Sequence, residues 1–153
     1  MANTYLGSHP SHGYTVVEQI DSNKQLTWSD SGKLFMCHHG SSNILVNLPK
    51  LSSEICGWNA KFIRAATGAK QFLVTGHGNT TTTAHADSDG KVIYLEISPT
   101  SQAADSMDGV RFNGTEVDAA IKLGANFEIF TDGTYWYVLG SGIIGDDIAQ
   151  ENN

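Results

Sequence analysis

ANFEIFTDGTYWYVLG, residues 125–140, is the segment with the clearest structural pattern in the sequence. Asp132 and Gly133 lie between two runs in which aromatic and β-branched residues alternate with other residues. Asp-Gly is a preferred pair for the two-residue type I′ turn of a β-hairpin, because that turn requires positive φ at both central positions. The stretch therefore predicts a hairpin with Asp132 and Gly133 at its tip, in which Thr131 lies opposite Thr134.

This register divides the hairpin side chains between two faces. The core face is expected to carry Phe127, Ile129, Trp136 and Val138, and the other face Glu128, Phe130, Tyr135, Tyr137 and Leu139. Because side chains alternate with period two, a slip by one residue would exchange the two faces, so the register should be firm. The second face has more apolar groups than a solvated face needs. Its expected role is packing on another subunit or another part of the chain, through Phe130, Tyr135, Tyr137 and Leu139.

The composition suits a single β domain. The chain has 153 residues, of which 16% are charged and 16 are glycine. A formal net charge of −7 argues against general nucleic-acid binding, which needs a basic face. No apolar run approaches the roughly 20 residues that cross a bilayer, and the N-terminus has no basic segment followed by an apolar one. The sequence therefore predicts a protein made in a cytoplasm, with neither membrane nor nucleic acid as partner.

Short strand-like segments recur along the whole chain. About nine to eleven of them, separated by turn residues every ten or so positions, are typical of an all-β sandwich or barrel. We expect one antiparallel β-sandwich of jelly-roll type with little helix, although a simpler sandwich or small barrel would give the same pattern. A single helical turn is predicted within 51–57. Residues 110–123 favour a second hairpin with Asn113 and Gly114 at its turn, and a short helix over 117–122 is the competitor. The predicted parts are a flexible arm (1–13), the sandwich (14–142) and a polar tail (143–153).

The sequence contains none of the common catalytic, phosphate-binding or zinc-binding motifs. It has no glycine-rich phosphate loop, no nucleophile elbow and no zinc-binding helix motif, so no catalytic residue, metal or cofactor is predicted. Cys37 and Cys56 lie in or beside apolar runs, where buried free thiols are expected and a disulfide is the alternative. The aromatic candidates for stacking on a sugar are Trp58, Tyr94, Tyr135 and Tyr137, with core or subunit contact the favoured interpretation.

Four segments together resemble small β domains on the virions of tailed bacteriophages. They are a Leu-Thr-x-Ser-Asp-x-Gly-Lys-x-Phe opening, an apolar strand ending in Leu-Pro, a Gly-Trp-x-x-Lys-Phe-Ile segment and the final hairpin: 26–35, 44–49, 57–63 and 124–140. The similarity covers about residues 26 to 140, and the Asp-Gly-Thr-x-Trp-Tyr-Val hairpin is its most specific part. Such domains occur in capsid decoration (cement) proteins and in pieces of tail fibres and tailspikes.

The resemblance implies a structural function rather than an enzymatic one. Decoration proteins of this kind are typically homotrimers at local threefold positions on the outer surface of the expanded capsid, where they clamp neighbouring copies of the major capsid protein. A polar arm could lie along that surface, and the residues expected to contact the capsid are Tyr5, Leu6, His9, His12 and Tyr14. The alternative is a receptor- or carbohydrate-binding head of a tail fibre. A hydrolase acting on surface polysaccharide is the third possibility, and either role would follow synthesis in a bacterial cytoplasm.

Overall fold

The computed structural model describes residues 4–9, 14–38, 42–65, 72–78, 92–95, 106–107, 109–112, 123–141 and 148–151. Strands are the dominant element within these ranges, and two 3₁₀ turns, Trp28–Asp30 and Ser53–Ile55, accompany them. The strands are β1 (Thr4–His9), β2 (Tyr14–Ile20), β3 (Lys24–Gln25), β4 (Lys33–Cys37), β5 (Ile44–Asn47), β6 (Asn59–Arg64), β7 (Phe72–Thr75), β8 (Val92–Leu95), β9 (Ser106–Met107), β10 (Gly109–Phe112), β11 (Asn126–Thr131), β12 (Trp136–Ser141) and β13 (Ile148–Glu151).

These strands form two sheets, which confirms the all-β prediction. The larger, sheet A, has the order β1-β2-β4-β6-β11-β12-β8-β9, and the smaller, sheet B, has the order β13-β10-β7-β5-β3. Among the described strands neither sheet closes on itself, and a jelly-roll connection is not confirmed.

From β2 to β7 the chain alternates between the sheets. Strands β2, β4 and β6 are parallel neighbours in sheet A, and β3, β5 and β7 are parallel neighbours in sheet B. Between β2 and β7 the chain therefore crosses from one sheet to the other after each strand. Strands β6, β11 and β12, by contrast, pair antiparallel within sheet A. The prediction of wholly antiparallel sheets is therefore wrong. Residue alternation reveals which side of a strand is buried but not the direction of its neighbour, so the sequence pattern could not distinguish the two arrangements.

A row of phenylalanines forms the centre of the core. Phe62 stacks on Phe35 and on Phe127, with ring centroids 5.2 and 5.1 Å apart, and these three rings belong to adjacent strands of sheet A. Phe112 of sheet B meets Phe127 at 4.9 Å, so one core joins both sheets. A buried phenylalanine typically contributes about 3–5 kcal/mol relative to alanine, and this row is a major source of stability.

The final hairpin has the predicted faces but a wider turn. Phe127, Ile129, Trp136 and Val138 are all buried, as predicted. The observed pairs are Thr131 with Trp136, Phe130 with Tyr137 and Ile129 with Val138, so the loop has four residues, 132–135, instead of two. The two registers differ by two residues, and a shift by an even number leaves the faces unchanged.

Side-chain hydrogen bonds stabilise this wider loop. Oδ1 of Asp132 accepts the backbone N–H groups of Thr134 and Tyr135, each at 2.8 Å. Oγ1 of Thr131 accepts the N–H of Gly133 at 2.9 Å and donates to the carbonyl oxygen of Tyr135 at 2.6 Å. Such Asx-type hydrogen bonds satisfy the backbone N–H groups of the loop without a type I′ turn. The two-residue turn predicted from the Asp-Gly pair is therefore wrong.

Of the other local predictions, some are confirmed and some are wrong. The helical turn expected within 51–57 is present as the 3₁₀ turn Ser53–Ile55. Cys37 is buried and free as expected, whereas Cys56 is free but exposed, because it follows that surface turn instead of entering the core. Within the predicted arm, residues 4–9 form β1 on the edge of sheet A, and within the predicted tail, residues 148–151 form β13 beside β10. The first strand of the predicted second hairpin, residues 110–112, lies in β10, which pairs with β7 on one side and β13 on the other, so this strand does not form the predicted hairpin. Residues 113–122, with the competing helix, lie outside the described residues.

Candidate functional site

The surface of sheet A that faces away from the core is unusually apolar. We call it the outer face. Its half-buried apolar side chains come from five neighbouring strands and are Val17, Leu34, Met36, Ile63, Phe130, Tyr137 and Leu139. Polar side chains such as Lys61 and Glu128 lie among them. A sheet that meets water on one side normally carries polar residues there, so this face has the composition of a contact surface.

Three of the four residues predicted for a subunit interface lie on the outer face. Phe130 stacks on Tyr137 with ring centroids 5.4 Å apart and an interplanar angle of 22°, and Leu139 is on the same strand as Tyr137. The fourth, Tyr135, lies in the hairpin loop with 42% of its surface exposed. The structure therefore brings Phe130, Tyr137 and Leu139 together and places Tyr135 at the end of the sheet.

The Tyr137 side chain is fixed by the hairpin loop. Its hydroxyl donates to Oδ2 of Asp132 at 2.8 Å. Hydrogen bonds from the backbone at Tyr135 and Thr134, together with this hydroxyl, hold the pKa of Asp132 below its ordinary value. The same bond to the carboxylate raises the pKa of Tyr137. The loop thus presents the edge of the outer face in a single defined geometry.

The predicted capsid-contact arm occupies the sheet edge next to this face. Tyr5, Leu6 and His9 belong to β1, and Tyr14 is the first residue of β2. Strand β1 pairs antiparallel with β2, with register shifts on either side of Gly7. Tyr5, Leu6 and His9 therefore lie on the edge strand of sheet A and Tyr14 on the strand next to it, and His12 lies outside the described residues.

Four charged residues that were not predicted as a site form a cluster at the edge of the core, which we call the buried cluster; three are buried and Lys24 is half-buried. Glu18, Lys24, Asp30 and Lys33 come from β2, β3, the first 3₁₀ turn and β4. Lys33 Nζ donates to Glu18 Oε2 at 3.0 Å and to Asp30 Oδ1 at 2.5 Å, and Lys24 Nζ contacts Glu18 Oε1 and lies 3.8 Å from Asp30 Oδ1. Lys24 Nζ also lies 5.4 Å from the ring centroid of Phe35.

The geometry of this cluster favours a structural role. Burial alone raises the pKa of Asp30, but the hydrogen bonds from Lys33 and Thr27 and the charges of Lys24 and Lys33 outweigh it, so the pKa lies below its ordinary value. Two carboxylates and two ammonium groups balance one another without an added ion. A signal was available in the sequence, since Lys33 alternates in phase with the buried Phe35 and Cys37 along β4.

Loops from three parts of the chain meet at one end of sheet A, which we call the loop end. The 3₁₀ turn Trp28–Asp30 precedes β4, the turn Ser53–Ile55 precedes β6, and the loop 132–135 precedes β12. Gly57 N–H donates to the carbonyl oxygen of Thr131 at 2.9 Å, and Trp58 Nε1 donates to that of Thr27 at 3.0 Å. The three loops are therefore fixed relative to one another.

The four aromatic candidates for stacking on a sugar lie in different parts of the fold. Trp58 is only 3% exposed and packs edge-on against Trp136, with centroids 5.2 Å apart, so it is a core residue. Tyr94 lies in β8, Tyr137 on the outer face and Tyr135 at the loop end. The most exposed large hydrophobic side chain of the described residues is Trp28, at 76%, and it was not among the predicted candidates.

Comparisons with protein-family models, curated proteins and solved structures find no match for this chain. In the part of the chain that the structure describes, no helix is long and apolar enough to cross a membrane. The same residues contain no group of three or more histidine, cysteine, aspartate and glutamate side chains placed to hold a metal ion. The outer face, the buried cluster and the loop end are the features from which a function can be argued.

Proposed function

We propose that this chain is a bacteriophage capsid decoration protein, which binds the outer surface of the mature capsid as a homotrimer and stabilises it. The observation that carries the proposal is the outer face, where seven half-buried apolar side chains cross five strands of sheet A. Surfaces of this kind mark protein contacts. The resemblance of residues 26–35, 44–49, 57–63 and 124–140 to virion-surface β domains supplies the class of partner.

The trimer uses the outer face as its subunit interface. Phe130, Tyr137 and Leu139 form the apolar centre, and the Tyr137–Asp132 hydrogen bond orients the tyrosine before association. Preorganised aromatic side chains contribute strongly to interfaces because little rotamer entropy is lost on binding. A specific interface typically buries about 800 Å² per partner, an area that one face of a sheet this wide can supply.

The proposed mechanism is association without chemistry. A protein that binds the mature capsid lattice more tightly than the immature one shifts the equilibrium towards the mature state by linkage. Three copies in one trimer act multivalently, so that weak contacts with the major capsid protein add up to stable attachment.

The N-terminal segment is proposed to supply part of the capsid contact. Strand β1 is an edge strand, and one side of its backbone has no partner strand within the described sheet. Such an edge is a template for pairing with another chain. Deleting residues 1–13 is predicted to leave a folded trimer with much weaker capsid affinity. Equal decoration by the truncated and full-length proteins would contradict this role of the segment.

The stabilising function is tested by heating expanded, undecorated phage heads with and without the full-length protein. The expected result is a higher disruption temperature for decorated heads, with the increase saturating as protein is added. A disruption temperature that does not change at saturating protein would overturn the proposal. A useful control is bovine serum albumin at the same mass concentration, which should have no effect.

A further inference from the structure

The Trp28 side chain is largely exposed to solvent. Of the three tryptophans in the sequence, Trp58 and Trp136 are buried at 3% and 0% exposure, whereas Trp28 is 76% exposed. Burial of an aromatic side chain removes about 150–250 Å² of surface from water, whereas Trp28 leaves most of its surface in contact with water. Its side chain is therefore available to a ligand.

The turn that carries Trp28 is held rigidly on both sides. Oδ2 of Asp30 accepts the backbone N–H of Thr27 at 2.8 Å and its hydroxyl at 3.1 Å, and Oδ1 of Asp30 is bound by the buried Lys33. The carbonyl oxygen of Thr27 accepts a hydrogen bond from Trp58 Nε1 at 3.0 Å. Trp28 thus projects from a turn tied to the core, which lowers the entropy cost of binding through it.

The residues on either side of Trp28 in the chain carry hydroxyl groups. Thr27 and Ser29 are both exposed, and their Oγ atoms lie 2.8 Å apart. The neighbouring loops add the exposed hydroxyl residues Ser52 and Ser53 and a second exposed aromatic ring, Tyr135. The loop end therefore combines two aromatic rings with several hydroxyl groups and with the exposed acidic residues Glu54 and Asp132.

We propose that the loop end binds a neutral oligosaccharide, with Trp28 as the stacking residue. A pyranose ring has an apolar C–H face bordered by hydroxyls, and it matches an indole flanked by Thr27 and Ser29. The apolar centre of a protein interface is usually a wider patch, and Trp28 has no exposed large apolar neighbour within its own turn. Tyr135 lies in a separate loop at the same end of sheet A, and we assign its ring to a further sugar of the same oligosaccharide. The net charge of −7 disfavours acidic polysaccharides.

This site does not rest on the capsid proposal, and it is tested with the full-length protein alone. The probes are maltohexaose, cellohexaose and chitohexaose, and the readout is acrylamide quenching of tryptophan fluorescence, which reports on Trp28 because the other two tryptophans are buried. We expect one of the hexasaccharides to protect Trp28 from acrylamide and to give a measurable Kd by calorimetry.

Matched variants separate the site from general surface effects. Trp28→Ala should weaken calorimetric binding about tenfold or more, whereas its unfolding midpoint should match that of the wild type, since an exposed side chain contributes little to stability. Leu123→Ala is the control, because Leu123 is also exposed, at 58%, but lies at the opposite end of sheet A. Its neighbour Gly124 donates its N–H to the backbone carbonyl oxygen of Arg64, the last residue of β6. Leu123→Ala should bind like the wild type.

Two results would overturn the proposal: protection by none of the three hexasaccharides, or equal affinity of the wild type and Trp28→Ala. Weaker sedimentation of Trp28→Ala with phage heads, without any sugar binding, would identify Trp28 as a protein anchor and would also overturn it. Failure of the capsid proposal is distinguishable, because it would leave the sugar titration unchanged.

Discussion

At position 133 a side chain would meet the backbone of another loop. Gly133 has φ of 91°, and a Cβ atom there would lie 2.9 Å from the carbonyl oxygen of Ser52. Gly124 has a similar φ of 93° with nothing within 4 Å of its Cβ position. The two glycines therefore separate the cost of the backbone conformation from the cost of the contact.

Gly133→Ala is predicted to lower the free energy of unfolding by about 2–3 kcal/mol, because it adds a steric clash to the strain of positive φ. Gly124→Ala should lower it by only about 1 kcal/mol, from the strain alone. Urea denaturation of both variants measures the difference. Equal losses would show that the hairpin loop moves away from Ser52 without cost.

At the scale of elements, the buried cluster joins β2, β3 and β4. Lys33→Met is predicted to lower the free energy of unfolding by about 3–5 kcal/mol, because it leaves two buried carboxylates with only Lys24 as a counter-ion. The double variant Glu18→Met/Lys33→Met removes one charge of each sign and should recover a large part of the loss. A loss below about 1 kcal/mol for Lys33→Met would contradict a stabilising role for the cluster.

The same cluster makes stability depend on pH. The pKa of Asp30 in the folded protein lies below its ordinary value of 3.8, so on acidification the unfolded chain takes up its proton first. The contribution of Asp30 is therefore complete above about pH 4 and is lost as the pH falls through the lower folded value. Urea midpoints from pH 6 to pH 2 should decline less steeply for Asp30→Asn than for the wild type. Parallel curves would mean that other carboxylates account for the acid sensitivity.

The sequence predicted the elements better than their arrangement. Alternation assigned Phe127, Ile129, Trp136 and Val138 to the core correctly, because burial of one strand face is a local property. The parallel pairing of β2, β4 and β6 depends on contacts between distant segments, and no local pattern encodes it. Three of the predicted interface residues do share the outer face. The exposure of Trp28 and the Glu18–Lys33 ion pair were not predicted, because both depend on which loops and strands meet in the fold.

At the scale of the whole molecule, the outer face is the proposed subunit interface. Leu139→Lys is predicted to convert a trimer into a monomer, because the contact would have to bury an ammonium group in place of an apolar side chain. Glu128, the carboxylate opposite position 139, already faces Lys61, so burial of the added charge stays costly. Light scattering should give three times the 16.4 kDa of the chain for the wild type and the single-chain mass for the variant.

Leu123→Lys introduces the same charge at an exposed position that is outside the outer face. It should remain a trimer. A trimeric Leu139→Lys variant would place the interface on another surface, and a monomeric wild type would remove the trimer from the proposal.

The most direct test of the proposed function is co-sedimentation of the purified protein with expanded, undecorated phage heads, scored by stoichiometry. A capsid decoration protein should saturate near three chains per local threefold site, as expected for one trimer at each position. Absence of binding to the heads by a protein that is folded and trimeric in solution would contradict the proposal.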